Sequence, residues 1–181
     1  MSRLMTAENT VCIVVDIQER LTPVLHEHEQ FAEKSRLILQ GLQALSVPLL
    51  VTEQYPKGLG ATVPAVKLLL GDAPVVEKTR FSAWLPEVEA FVKDKQAGHV
   101  VLIGAEAHVC MLQTVLDMRE HGLSVYVPFE CTASRNPLNK DNALKQMAAA
   151  GAVVSNVESI LFMLMKDAKH PAFKTVSKLI Q

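Results

Sequence analysis

Three side chains in this sequence have the chemistry of a base, a cation and a nucleophile: Asp16, Lys78 and Cys110. Each stands where an apolar run gives out. Asp16 lies near the end of TVCIVVDI (Thr10 to Ile17), and Lys78 closes PVVEK (Pro74 to Lys78). Cys110 comes six positions after Gly104, the last residue of HVVLIG (His99 to Gly104). A cysteine attacks as thiolate, and an ordinary thiol, with a pKa of about 8.5, holds little thiolate near neutrality. A helix N-terminus and a neighbouring ammonium both favour the anion. At ~4 Å and an effective dielectric of ~20 the ionic attraction is roughly 4 kcal/mol before desolvation. Asp16 suits the base that takes the thiol proton and later returns it to a leaving group, while Lys78 holds carboxylate and sulfur in place. Taken singly, each residue has a plainer role: aspartate caps turns, lysine sits in solvent, cysteine fills core. Only their convergence makes a site.

The elements that would bring them together alternate along the chain. Apolar, β-branched runs predict strands at Thr10 to Ile17, Pro48 to Glu53, Pro74 to Lys78, His99 to Gly104, Leu123 to Pro128 and Ala152 to Ser155. Helical spacing falls between them, at Gln30 to Ser46, Trp84 to Lys95, Val109 to His121, Asn139 to Ala150 and Val157 to Met165, with a short helix in the tail from His170 to Gln181. This alternation predicts an α/β fold, a three-layer α/β/α arrangement on a six-stranded, mostly parallel sheet, in one domain over residues 1–181. Ligands of such sheets bind at the carboxyl ends of the strands, the edge where all three residues fall. The longest irregular stretch, Gln54 to Val66, is long enough to be functional.

Composition narrows the chemistry. At 49% hydrophobic and 20% charged residues the chain can bury a full core. Lys+Arg 18 against Asp+Glu 19 leaves no basic excess for phosphate contacts, so no nucleic-acid partner is expected. No apolar run nears the ~18 residues that span a bilayer, and MSRLMTAENT lacks the apolar stretch of a secretory signal. Three cysteines, Cys12, Cys110 and Cys131, do not form a disulfide framework and fit reduced thiols in a cytoplasmic setting, with mitochondria left open. Cys12, inside VCIVV, reads as core, and Cys131 as structural.

Three blocks resemble the isochorismatase-like cysteine hydrolases: VVDIQE (Val14 to Glu19), EKTRFSAW (Glu77 to Trp84) and GAEAHVCM (Gly104 to Met111). The stretch TEQYPKGLGATV (Thr52 to Val63) is similar to the small isochorismatase-domain-containing proteins of that superfamily. The resemblance covers nearly the whole chain. It implies a Rossmann-like sheet, an Asp16/Lys78/Cys110 triad, a thioester on Cys110 and a small amide or carbamoyl-type substrate. It also implies a cis peptide between Ala105 and Glu106, with the backbone N–H groups of Glu106 and Cys110 aimed at the developing oxyanion. Homo-oligomers, dimer or tetramer, are the habit of such proteins. Gln18, Gln54, Tyr55, Phe81 and Trp84 flank the blocks and are expected to shape the pocket.

Two departures bear on the reading. Ala107 stands where many members carry threonine, and Glu53 to Val63 has no histidine where many nicotinamidases hold a metal. No metal and no cofactor are therefore expected. His26 and His28 make an isolated H-x-H in a predicted loop, short of the three or four ligands zinc needs. His108, two residues before Cys110, is expected to diverge from it and to pack against neighbours. A rival reading is a non-catalytic binding protein on the same fold.

Overall fold

The two central strands, Thr10–Val15 and His99–Ala105, come from runs that leave no exposed face. The computed structural model describes residues 4–181; residues 1–3, the start of the N-terminal stretch read above, lie outside them. The elements in order are β1 (Thr10–Val15), α1 (His28–Ala44), β2 (Leu49–Gln54), α2 (Pro56–Leu59), α3 (Pro64–Lys67), β3 (Val75–Lys78), α4 (Pro86–Asp94) and β4 (His99–Ala105). They continue with α5 (Leu112–Glu120), β5 (Ser124–Pro128), β6 (Thr132–Ala133), α6 (Pro137–Ala149), β7 (Val153–Ser155), α7 (Val157–Met165) and α8 (Phe173–Leu179).

The strands pair in parallel in the order β3-β2-β1-β4-β5-β7. The sheet has seven strands, one more than the six expected, because β6 pairs with Gly104 and Ala105 of β4. The register of β4 with β5 covers His99 to Val101, and β6 takes the position beside β4 further along. A two-residue strand carries no periodic signal, so no sequence pattern announced it. The interval Gln54 to Val66, read as irregular, holds the short helices α2 and α3, each opened by a proline at its first turn.

The alternation of side chains along β1 divides the core between the two faces. Cys12 and Val14 pack with Phe31, Ile38 and Leu42 of α1, Leu161 of α7 and Val176 of α8. Val11, Ile13 and Val15 pack with Val88 of α4, Val115 and Met118 of α5 and Met147 of α6. Every residue of β1 and β4 is buried, as expected of central parallel strands covered on both faces.

The chain adds β2 and β3 on one side of β1, then crosses back to place β4 on the other. The carboxyl ends of β1 and β4 thus flank the point where strand order reverses. The two strands approach closely there. Gly104 has φ +137°, and a Cβ on it would stand 2.0 Å from the Val15 carbonyl oxygen, so no side chain fits.

Candidate active site

Asp16 follows β1 in the left-handed region, at φ +54°, and its side chain is fully buried. Lys78 closes β3, two strands away. Strands lie about 4.8 Å apart, so a lysine reaching across one intervening strand can meet an aspartate at the end of the next. It does: Lys78 Nζ is 2.7 Å from Asp16 Oδ2, with both side chains inaccessible to solvent. The intervening β2 lines the gap. Thr52 donates its hydroxyl to Asp16 Oδ1 at 2.8 Å, and Gln54 Oε1 accepts from Lys78 Nζ at 2.6 Å. The carbonyls of Arg80 and Phe81 accept from the same ammonium at 3.1 and 2.9 Å. A buried charge is tolerated when its donors and acceptors are satisfied in this way.

Cys110 joins this pair from the other side of the reversal. The charges of Asp16 and Lys78 both act on its thiol, and the residue is 6% exposed. The helix expected from Val109 starts differently: Ala107–Met111 form a π turn, and regular α5 begins only at Leu112. Val109 and Met111 donate their N–H groups to the Glu106 carbonyl, at 3.1 and 3.2 Å. Cys110 is therefore inside a widened turn. The peptide between Ala105 and Glu106 is cis.

The electrostatics correct one expectation. Burial first, then the negative charge of Asp16, pushes the Cys110 thiol up to about 12; Lys78 offsets this only in part. The surroundings thus favour the protonated thiol, because desolvation penalises the anion more than one ammonium favours it. Burial also holds the Asp16 carboxyl above the ordinary carboxylate range, against the pull of Lys78 and the hydrogen bonds from Lys78 and Thr52. A carboxylate raised in this way is a better proton acceptor.

The five residues expected around the pocket divide. Gln54 holds Lys78 and also donates Nε2 to the Thr79 carbonyl at 2.9 Å. Tyr55 and Phe81 are more than half exposed; Tyr55 borders a cleft of about 350 Å³ with Lys78, Glu77 and Thr79. Gln18 is fully buried and ties the α2 region down: it donates to the Gln54 and Gly60 carbonyls at 3.0 and 2.7 Å and accepts from the Gln54 N–H at 2.7 Å. Trp84 shares a buried cluster with Cys110 but also faces a second cavity, of about 470 Å³, which it lines with Val92, Ala97, His121 and Leu123 at the amino ends of β4 and β5.

Glu106, besides its backbone, carries a side chain that accepts from the Arg135 N–H at 2.9 Å and from Arg135 Nε at 3.1 Å. Arg135 stands just past β6, and nothing in the sequence tied it to the β4 end; a lone arginine after a short polar run gives no signal. Thr52 was nearer to hand, as a hydroxyl in the apolar run PLLVTE beside the strand that carries Asp16. His108 packs away from Cys110, its Nδ1 2.9 Å from the Ser134 hydroxyl. His26 stays in a turn, and His28 opens α1 instead of lying in a loop. Cys12 and Cys131 are wholly buried in the core. Among the described residues, no group of three or more His, Cys, Asp or Glu side chains is placed to hold a metal ion. No described helix is long and apolar enough to cross a membrane.

Comparison with known proteins places this geometry in a family. The isochorismatase domain model matches residues 10–159. Isochorismatase domain-containing protein 1 of Salmo salar is 40% identical over 173 residues, which cover 95% of this chain and 61% of that protein. The chain thus spans about three fifths of that relative's length. A solved structure described as the MAR1 ribonuclease of Caenorhabditis elegans is 39% identical, with a TM-score of 0.94 over 98% of this chain and 92% of that one. The ycaC gene product of Escherichia coli, described as an octameric hydrolase of unknown specificity, has a TM-score of 0.91 at 20% identity, covering 99% of this chain and 90% of its own. At that identity the likeness is one of fold.

Proposed function

The chain belongs to the isochorismatase-like hydrolase family, and within it we propose a cysteine hydrolase that cleaves a small amide or carbamoyl-type substrate through a thioester on Cys110. The observation that carries this reading is the buried Lys78–Asp16 pair at 2.7 Å, whose two charges both act on the Cys110 thiol. A buried ion pair is a weak device for stability, since well-packed apolar residues do as well. Placed against a thiol at the strand-order reversal, it has a chemical use.

The reaction follows from the protonation states. Asp16 takes the thiol proton as Cys110 Sγ bonds to the substrate carbonyl carbon. A thiol held near 12 ionises only as it attacks, so base and nucleophile act together. The backbone N–H groups of Glu106 and Cys110 serve the oxyanion, and preoriented donors of this kind contribute about 3 kcal/mol each. The carbon–nitrogen bond breaks as the amine takes the proton back from Asp16. Water then gives a proton to Asp16 and attacks the thioester; the carbon–sulfur bond breaks, and the proton returns to sulfur. Lys78, bonded to Asp16 Oδ2, favours the ionised carboxylate and keeps it aligned. Gln54, Tyr55 and Phe81 border the entrance on this reading. This reading calls for no metal or cofactor, and for a homo-oligomer, dimer or tetramer.

The test is covalent. A small electrophile should label Cys110 far ahead of Cys12 and Cys131 in peptide mass spectra, and Cys110→Ser should lower turnover across an amide panel by at least about a thousandfold. Equal labelling of the three, or undiminished turnover in Cys110→Ser, overturns the reading. The C. elegans neighbour's description makes RNA a necessary control substrate. Cleavage of RNA that survives both Cys110→Ser and Asp16→Ala belongs to a contaminant, and cleavage that both abolish would replace the amide as the substrate.

A further inference from the structure

The segment that follows Lys78 joins the two halves of the site. Its Arg80 and Phe81 carbonyls receive the Lys78 ammonium. Two residues on, the Ala83 N–H donates to Thr114 Oγ1 at 2.8 Å, and that hydroxyl donates to the Cys110 carbonyl at 2.6 Å. Alongside, Ser82 Oγ donates to Asp117 Oδ2 at 2.6 Å and accepts from the Trp84 N–H at 3.1 Å. Thr114 and Asp117 are both on α5, and Thr114, Ser82 and Ala83 are buried. A helical threonine commonly turns its hydroxyl onto the carbonyl four residues back. Here the same oxygen also accepts from a strand-end loop far away in sequence, so one atom connects the backbone of the nucleophile to the loop that holds the lysine.

We propose that Thr114 is a positioning residue: with the Ser82–Asp117 bond beside it, it clamps the loop after Lys78 to α5 and fixes how Cys110 sits against the Asp16–Lys78 pair. The π turn at Ala107–Met111 makes such a tie useful. A widened turn lacks the regular ladder that would otherwise set the sulfur's position, and the hydroxyl bridge anchors the turn's last residues from outside. Both bonds are buried, where an unmatched partner is costly and the geometry is held tightly. The inference rests on Cys110 as the reacting group, but its test needs no substrate.

The test is the pH dependence of Cys110 alkylation by iodoacetamide, followed by peptide mass spectrometry in Thr114→Val, Thr114→Ser and Ser82→Ala. Removing the hydroxyl should let water reach the sulfur and let it drift from Asp16. The Cys110 midpoint in Thr114→Val should fall by roughly one pH unit toward the ordinary thiol value. Thr114→Ser, which keeps the oxygen, should retain the wild-type profile, and Ser82→Ala should shift it less but in the same direction. Thermal melts separate these effects from simple destabilisation. A wild-type midpoint in folded Thr114→Val overturns the proposal, as does a Thr114→Ser profile that matches Thr114→Val. If Thr114→Val does not fold, an unshifted Ser82→Ala does so. Loss of the hydrolase reading would show separately, as turnover indifferent to Cys110→Ser.

Discussion

Cys12 and Cys110 are both buried, both near the centre of the sheet, and both carry thiols pushed upward by burial. Inside β1, Cys12 packs in the apolar cluster, and desolvation alone moves it. At the carboxyl edge, Cys110 meets a carboxylate and an ammonium as well. The difference teaches that a lowered thiol pKa does not distinguish these two sulfurs: both are raised. What separates them is the charge nearby; on the reading proposed above, Asp16 takes the proton at the moment of attack. The interior of the sheet is built to exclude charge. Its edge is built to hold two charges and to satisfy each with specific donors and acceptors.

The strongest way to break that comparison is to empty one side of the ion pair. Lys78→Met should leave Asp16 buried without its cation, lose about 3–5 kcal/mol at neutral pH in urea unfolding, and raise the Asp16 carboxyl further. The double variant Asp16→Asn with Lys78→Met should recover much of that loss while remaining inactive. A single variant as stable as wild type would mean that the pair is solvated. A second effect follows from the thiols. All three are raised in the folded state, so the unfolded chain releases their protons first as pH climbs, and stability falls above about pH 9. Their contribution is intact below the unfolded thiol value and is lost as pH rises toward the folded ones. Cys110→Ala should flatten the decline measured by urea titration at several alkaline pH values; an unchanged slope would remove Cys110 from the set. The smallest effect sharpens the contrast from the inert side. Cys12→Ala should cost about 1–2 kcal/mol through lost packing and leave turnover at the wild-type level. Loss of activity there, in a folded protein, would erase the distinction between core and edge.

Much of this was legible along the chain. TVCIVVDI and HVVLIG read as strands from their apolar, β-branched runs, and Asp16, Lys78 and Cys110 fell at or just past strand ends, the edge where parallel sheets bind ligands. The resemblance of three short blocks supplied the trio's meaning. The rest was decided by register and packing. Pairing of Gln54 with Lys78 across β2 and β3 puts an amide oxygen on the ammonium, and Thr52, two positions back, puts a hydroxyl on Asp16. Trp84, next to Ser82 and Ala83 in sequence, turns instead toward His121 and Leu123 at the far edge. Arg135 reaches Glu106 only because a two-residue strand sets β6 against β4.

Strand and helix, the buried faces and the reactive residue types are properties of the sequence itself, because they depend on local periodicity and on side-chain chemistry. Which neighbours each reactive group has, and in which direction its proton affinity moves, was decided by the tertiary structure alone. Those quantities depend on distances between residues far apart in the chain and on how completely water is excluded between them.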